Sequence, residues 1–99
     1  PSAGAAITCA IYSLFINKPI KNDISMTGEI DLDGNITAIG GLDAKLSGAK
    51  RAGVKIAYVP EENRRDVEIL KKKMPELIDD DFNVEFLNHI KEAIVKVFN

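Results

Sequence analysis

The chain has no tryptophan, one cysteine and one histidine. With Cys9 alone, no disulfide can close within it, which fits a reducing compartment. In its apolar surroundings Cys9 reads as a small core residue. Its sequence distance from His89, expected to be exposed, argues against a Cys–His pair. A basic excess is also missing: 13 Lys and Arg stand against 15 Asp and Glu, for a net charge of −2. That excludes a surface built to neutralise nucleic-acid phosphates. No apolar run reaches the roughly 18 residues that a membrane span needs. The stretch from Ala5 to Ile16 is interrupted by Thr8, Tyr12 and Ser13 and lacks the basic flank of a signal peptide. There is no Walker-type glycine loop, so no ATP site of that kind is expected. Internal repeats and low-complexity segments are absent.

What is present suits one small domain: 99 residues, 45% apolar and 28% charged. Ile7, Ile11, Leu14 and Phe15 recur at helical steps, so a helix is expected over Ala3 to Ile16 with Ser2 as its N-cap. Pro19 ends it. Ile24, Met26, Ile30 and Leu32 alternate, which predicts a strand from Ile24 to Leu32. Asp33-Gly34 predicts a hairpin turn, and Ile36 to Ile39 the returning strand. After Gly40-Gly41 a helix is expected over Leu42 to Ala52, with Gly53 just past its end. Val54 to Val59 is a nearly continuous apolar run, as in a strand covered on both faces. A helix from about Asn63 to Lys73, an acidic connection from Pro75 to Phe82, a strand from Val84 to Leu87 and an amphipathic helix from His89 to Phe98 complete the chain. The order gives an α+β (mixed α/β) fold, a small mixed sheet with flanking helices. Pro1 has no initiator methionine before it and is followed at once by the serine helix, so a fragment of a longer polypeptide is expected.

Two residues are candidates to carry chemistry. Ser2 stands at a helix start, where it is an N-cap or a nucleophile whose developing oxyanion the amides and dipole would stabilise. Lys45 lies three after Leu42 and four before Ala49, which places it on the apolar side. It is either a snorkelling lysine or a desolvated amine able to act as general base. Thr27, in Thr27-Gly28-Glu29, is an ordinary strand threonine or a group that orients the lysine. Glu29 is a solvent-facing residue or a local charge partner. Lys50 and Arg51 are expected to be solvated charges. Asp79-Asp80-Asp81 lacks the spaced ligands of a calcium loop and reads as a solvated acidic turn. Glu61-Glu62 with Arg64-Arg65 decorates a helix start.

These segments together resemble the proteolytic domain of the Lon ATP-dependent proteases. The likeness is carried by Pro1-Ser2-Ala3-Gly4, Met26-Thr27-Gly28-Glu29 and Ile39-Gly40-Gly41-Leu42-Asp43-Ala44-Lys45. Ala49-Lys50-Arg51-Ala52-Gly53, then Val59-Pro60-Glu61-Glu62-Asn63 with Arg65-Asp66, extend it. It runs in order along the chain. The resemblance implies that Ser2 is the nucleophile, Lys45 its partner and Thr27 the support of the lysine, with no metal. It implies a ribosomal-protein-S5-domain-2-like fold, with residues 1–99 forming the C-terminal part of a Lon-type proteolytic domain. The upstream half of that domain and an AAA+ module using ATP and Mg would then belong to the parent protein. Unfolded protein or peptide substrates, a hexameric homo-oligomer, the missing half-domain as a partner and no membrane or nucleic-acid partner follow from it. So does a cytoplasmic location, or the mitochondrial matrix in a eukaryote. Asp43-Ala44 stands where the family usually has Lys-Glu, and Gly48 mid-helix costs about 1 kcal/mol relative to alanine. The alternative is a non-catalytic Lon-like scaffold that mediates assembly of a larger ATPase, as in a bacterial DNA-repair ATPase.

Overall fold

The computed structural model describes residues 23–98. The helix expected over residues 3–16, with Ser2 and Cys9, lies outside them. In order come β1 (Ile24–Met26), β2 (Glu29–Ile30), β3 (Ile36–Thr37), α1 (Leu42–Arg51) and β4 (Ile56–Pro60). A 3₁₀ turn (Glu61–Asn63), α2 (Arg64–Lys73), β5 (Asn83–Leu87) and α3 (Ile90–Phe98) follow. β4 is the middle strand of a parallel sheet ordered β1-β4-β5, with Ile24 opposite Ile56 and Val59 opposite Phe86. Parallel neighbours need long crossovers; α2 lies within the one from β4 to β5. β2 and β3 form a separate antiparallel ribbon, with Glu29 opposite Thr37. The α+β class expected from the sequence is therefore the class observed.

The period of two along β4 divides the core. Ala57 and Val59 join Leu42 and Leu46 of α1, Val67 and Leu70 of α2, and Leu77 and Phe82. Tyr58 joins Ile36, Leu87 and Ala93 of α3, with Ile24, Met26 and Ile56 packed alongside. The apolar run at 54–59 thus serves a strand buried on both sides. Burying each large side chain fully contributes about 1.5–3 kcal/mol.

The strand expected over Ile24 to Leu32 is two strands in two sheets. The break falls at Thr27-Gly28. Thr27 N–H still donates to Tyr58 O at 3.0 Å, continuing the pairing with β4. Gly28 is buried, and a Cβ there would stand 2.6 Å from Ile36 Cγ2 and 3.2 Å from Pro60 Cγ. The turn also differs from a two-residue hairpin. The Asp31 carboxylate accepts the N–H groups of Asp33 and Asn35, both at 2.9 Å, and the Asn35 side-chain amide at 3.1 Å. The loop therefore spans 31–35, and Leu32 sits fully exposed at its tip rather than on a strand.

The ends of the helices explain the remaining boundaries. Gly53 N–H donates to Lys50 O and Val54 N–H to Ala49 O, both at 3.1 Å, the paired bonds that close a helix C-terminus. Glu92 Oε1 accepts the N–H groups of Asn88 and His89 at 3.0 and 3.1 Å and so caps α3. His89, expected to be exposed, is half-buried. Its Nδ1 accepts Lys91 N–H at 3.1 Å, which puts the ring proton on Nε2, 2.8 Å from Asp33 O. That bond and the one from Ile90 N–H to Gly34 O, 2.9 Å, fasten the ribbon loop to α3. Among the described residues no helix is long and apolar enough to cross a membrane.

Candidate active site

Of the site residues expected from the sequence, the described part holds Thr27 and Lys45. Ser2 lies outside it. Thr27 is half-buried at the break between β1 and β2. Lys45 lies one turn into α1, where its N–H donates to Gly41 O at 3.1 Å. Among the described residues, Thr27 and Lys45 are not hydrogen-bonded to each other. Glu29 is exposed on the ribbon.

The Lys45 side chain is exposed, whereas its position had suggested the apolar face. The reason is angular. At about 100° per residue, Leu42, Leu46 and Ala49 cluster within about 60°, and Lys45 falls about 65° from the centre of that cluster, outside the stripe. Leu42 and Leu46 are 5% and 1% exposed, so the buried face is narrow.

What fixes α1 is the segment before it. Gly41, its N-cap, has φ 66° and ψ 30°, a left-handed conformation that glycine adopts at little cost. No side chain caps the helix. The preceding residues are instead held from across the chain. Asn63, only 1% exposed, accepts Ile39 N–H on Oδ1 at 3.0 Å and donates from Nδ2 to Ile39 O at 3.0 Å. The same Nδ2 donates to Asp66 Oδ2 at 2.8 Å, which fixes the amide's orientation. Glu62 Oε1 accepts Ala38 N–H at 2.8 Å. Reading the sequence assigned Glu62 and Asn63 only to a helix start; the signal available was a buried-type asparagine directly after a proline-ended apolar strand.

At its other end α1 is anchored by Lys50, which is not the solvated charge expected. Its Nζ donates to Glu76 O at 2.7 Å, Leu77 O at 2.9 Å and Asp79 Oδ2 at 2.8 Å. The Lys50 hydrogen bond, aided by the Asp81 N–H, holds the Asp79 carboxyl below its ordinary pKa. Arg64 pairs with Glu61 at 2.6 and 2.9 Å and lies 4.0 Å over the Phe86 ring. That hydrogen bond lowers the Glu61 carboxyl, but the pair is open to solvent and adds little stability. Burial, with Glu85 beside it, pushes the Tyr58 phenol up. Among the described residues, no three His, Cys, Asp or Glu side chains gather to hold an ion. A cleft of about 380 Å³ opens between the start of α1 and α2, lined by Ile39, Gly41, Asp66, Ile69 and Met74. Lys45 is not part of its wall.

The sequence of the family described as Lon protease (S16) C-terminal proteolytic domain matches residues 1–99. The chain belongs to the Lon protease family. It is 49% identical over 94 residues to a Lon protease homolog of Acanthamoeba polyphaga mimivirus, covering 95% of this chain and 9% of that protein. Against the Lon protease of Buchnera aphidicola subsp. Acyrthosiphon pisum it is 43% identical over 94 residues, 95% of this chain and 12% of that protein. With a Lon protease homolog, mitochondrial, of Caenorhabditis briggsae it shares 37% over 98 residues, 99% of this chain and 10% of that protein. The chain spans about a tenth of the length of these Lon relatives.

Proposed function

We propose that this chain supplies the serine–lysine dyad of an ATP-dependent Lon-type endopeptidase. The observation that carries the reading is the match to the Lon proteolytic domain from first residue to last, with Ser2 and Lys45 in the segments that carry the likeness. In this mechanism neutral Lys45 takes the proton of Ser2 Oγ, and the oxygen attacks the scissile carbonyl. Backbone amides next to Ser2 hold the oxyanion. Lys45 then protonates the leaving amine, and the resulting acyl-enzyme is released by water that Lys45 activates. Thr27 orients the lysine.

The Lys45 side chain is exposed, and general-base chemistry at an amine needs a site closed to water. Substrate, together with residues outside 23–98 or a neighbouring subunit, must exclude water from it. ATP and Mg act at an AAA+ module of the natural protein and unfold the substrates, which are misfolded or regulatory proteins. A hexameric ring encloses the site, in the cytoplasm or, in a eukaryote, the mitochondrial matrix.

The alternative is a non-catalytic Lon-like scaffold that mediates assembly of a larger ATPase. Ser2→Ala and Lys45→Arg in the natural protein carrying these residues separate the two. Loss of peptide hydrolysis with assembly intact supports the dyad; normal hydrolysis by either variant overturns it.

A further inference from the structure

We infer that Asn63 is a positioning residue of the proposed site, acting on Lys45 through the backbone of Ile39. This rests on the serine–lysine reading above. Asn63 is the one polar side chain among the described residues classed with the buried core, and every polar atom it has is used. Its amide meets both the N–H and the C=O of Ile39, as a strand neighbour would. Ile39 is followed by two glycines, of which Gly41 is left-handed and carries no side-chain cap for α1. Two glycines in sequence are a soft joint. With no cap to set the angle, the direction in which α1 leaves this joint is set by what holds residues 38 and 39 together with the packing of Leu42 and Leu46. Glu62 holds residue 38 and Asn63 residue 39.

Lys45 is four residues beyond Gly41 and bonds to it through its own N–H. A small swing at residue 39 reaches the lysine through Gly41 and Leu42, the first of the two core residues of α1. Asp66 completes the device. By accepting from the same Nδ2 it holds the amide plane in register with Ile39 and ties the clip to the first turn of α2. The arrangement is that of an outer group that orients a working side chain without touching the substrate.

The test uses the natural protein with Asn63→Ala, Lys45→Arg and Leu77→Ala. Leu77 is a buried core residue in the cluster shared by α1 and α2 and makes no side-chain hydrogen bond to Ile39, so Leu77→Ala shows the effect of general destabilisation. Well below the unfolding temperature, Asn63→Ala should lower kcat by about ten- to a hundredfold, the scale of a catalytic group displaced by about 1 Å. KM should change little. The acidic limb of the kcat/KM pH profile should move, because the lysine's surroundings change. Leu77→Ala should leave both as in the parent. Hydrogen exchange should rise in Asn63→Ala at residues 39–45. Unchanged kcat in Asn63→Ala, with Lys45→Arg inactive, overturns the positioning role and leaves the dyad standing. Equal losses in Asn63→Ala and Leu77→Ala also overturn it. Full activity of Lys45→Arg removes the dyad reading and this inference with it.

Discussion

The Cγ2 methyl of Ile36 occupies the space beside Gly28, so that a Cβ added to the glycine would lie 2.6 Å from it. Ile36 is 3% exposed and cannot turn out to water without opening the second core cluster. Pro60 closes the other side at 3.2 Å. Gly28→Ala should therefore cost about 1–3 kcal/mol, as overpacking does. Thermal unfolding checks this. An unchanged midpoint would mean that the ribbon shifts without strain.

Lys50 makes two hydrogen bonds to carbonyl oxygens of the α2–β5 connection. Lys50→Met keeps the aliphatic stem and removes the donor, and should destabilise by about 1–2 kcal/mol, since charged donors to partly buried carbonyls are costly to lose. The ion pair with Asp79 adds little of this, being partly exposed. Asp79→Asn should be milder than Lys50→Met in denaturant unfolding.

Asp31 and Asp79 both have pKa values held below the ordinary 3.8, Asp31 chiefly by hydrogen bonds from Asn35 and Asp79 chiefly by Lys50. A carboxyl depressed in the folded state stabilises it fully above the unfolded value, and this is lost as pH falls through the folded value. Unfolding temperature should accordingly fall below about pH 4. Asp31→Asn and Asp79→Asn should flatten this acid limb and leave the neutral-pH slope alone.

Leu46 is 1% exposed at the centre of the first cluster. Leu46→Ala should cost about 2–5 kcal/mol. Calorimetry should show a clear fall in midpoint, and a shift smaller than that of Lys50→Met would mean that the cavity collapses.

Thr27→Val keeps shape and removes the hydroxyl. If Thr27 orients Lys45 during turnover, peptide hydrolysis should fall about five- to tenfold, the worth of one hydrogen bond of about 1 kcal/mol or slightly more. Stability should change little. Full activity in a steady-state peptide assay would release Thr27 from that role.

Much of the fold was legible in the sequence because burial writes its period into the residues. The run at 54–59 announced a strand with two covered faces, and Val67 with Leu70 marked the buried side of α2. The alternation Ile24, Met26, Ile30, Leu32 misled because it fits one long strand; only the lack of room for a side chain at residue 28 forces the change of sheet. Leu32 keeps the period yet faces water, since the Asp31 carboxylate had already begun the loop. Lys45 lies at the border of the apolar stripe with its side chain exposed, because three- and four-residue spacing does not distinguish the middle of a helix stripe from its border. The sequence marks Asn63 only as a helix start and Lys50 only as a solvated charge, as each also bonds to backbone groups 24 to 27 residues away. Local pattern carries no trace of such distant backbone acceptors and donors.

The middle strand of the sheet finds both neighbours far from itself in the chain. Ile24 pairs with Ile56 and Ile56 with Asn83. Among the described residues β1 pairs with β4 alone, so during synthesis that pairing waits until residue 60 has cleared the ribosome, and the other edge of β4 stays open until β5 emerges. Such non-local pairing slows assembly. The nascent domain therefore passes through an interval with an unsatisfied strand edge, when a chaperone has most to offer it.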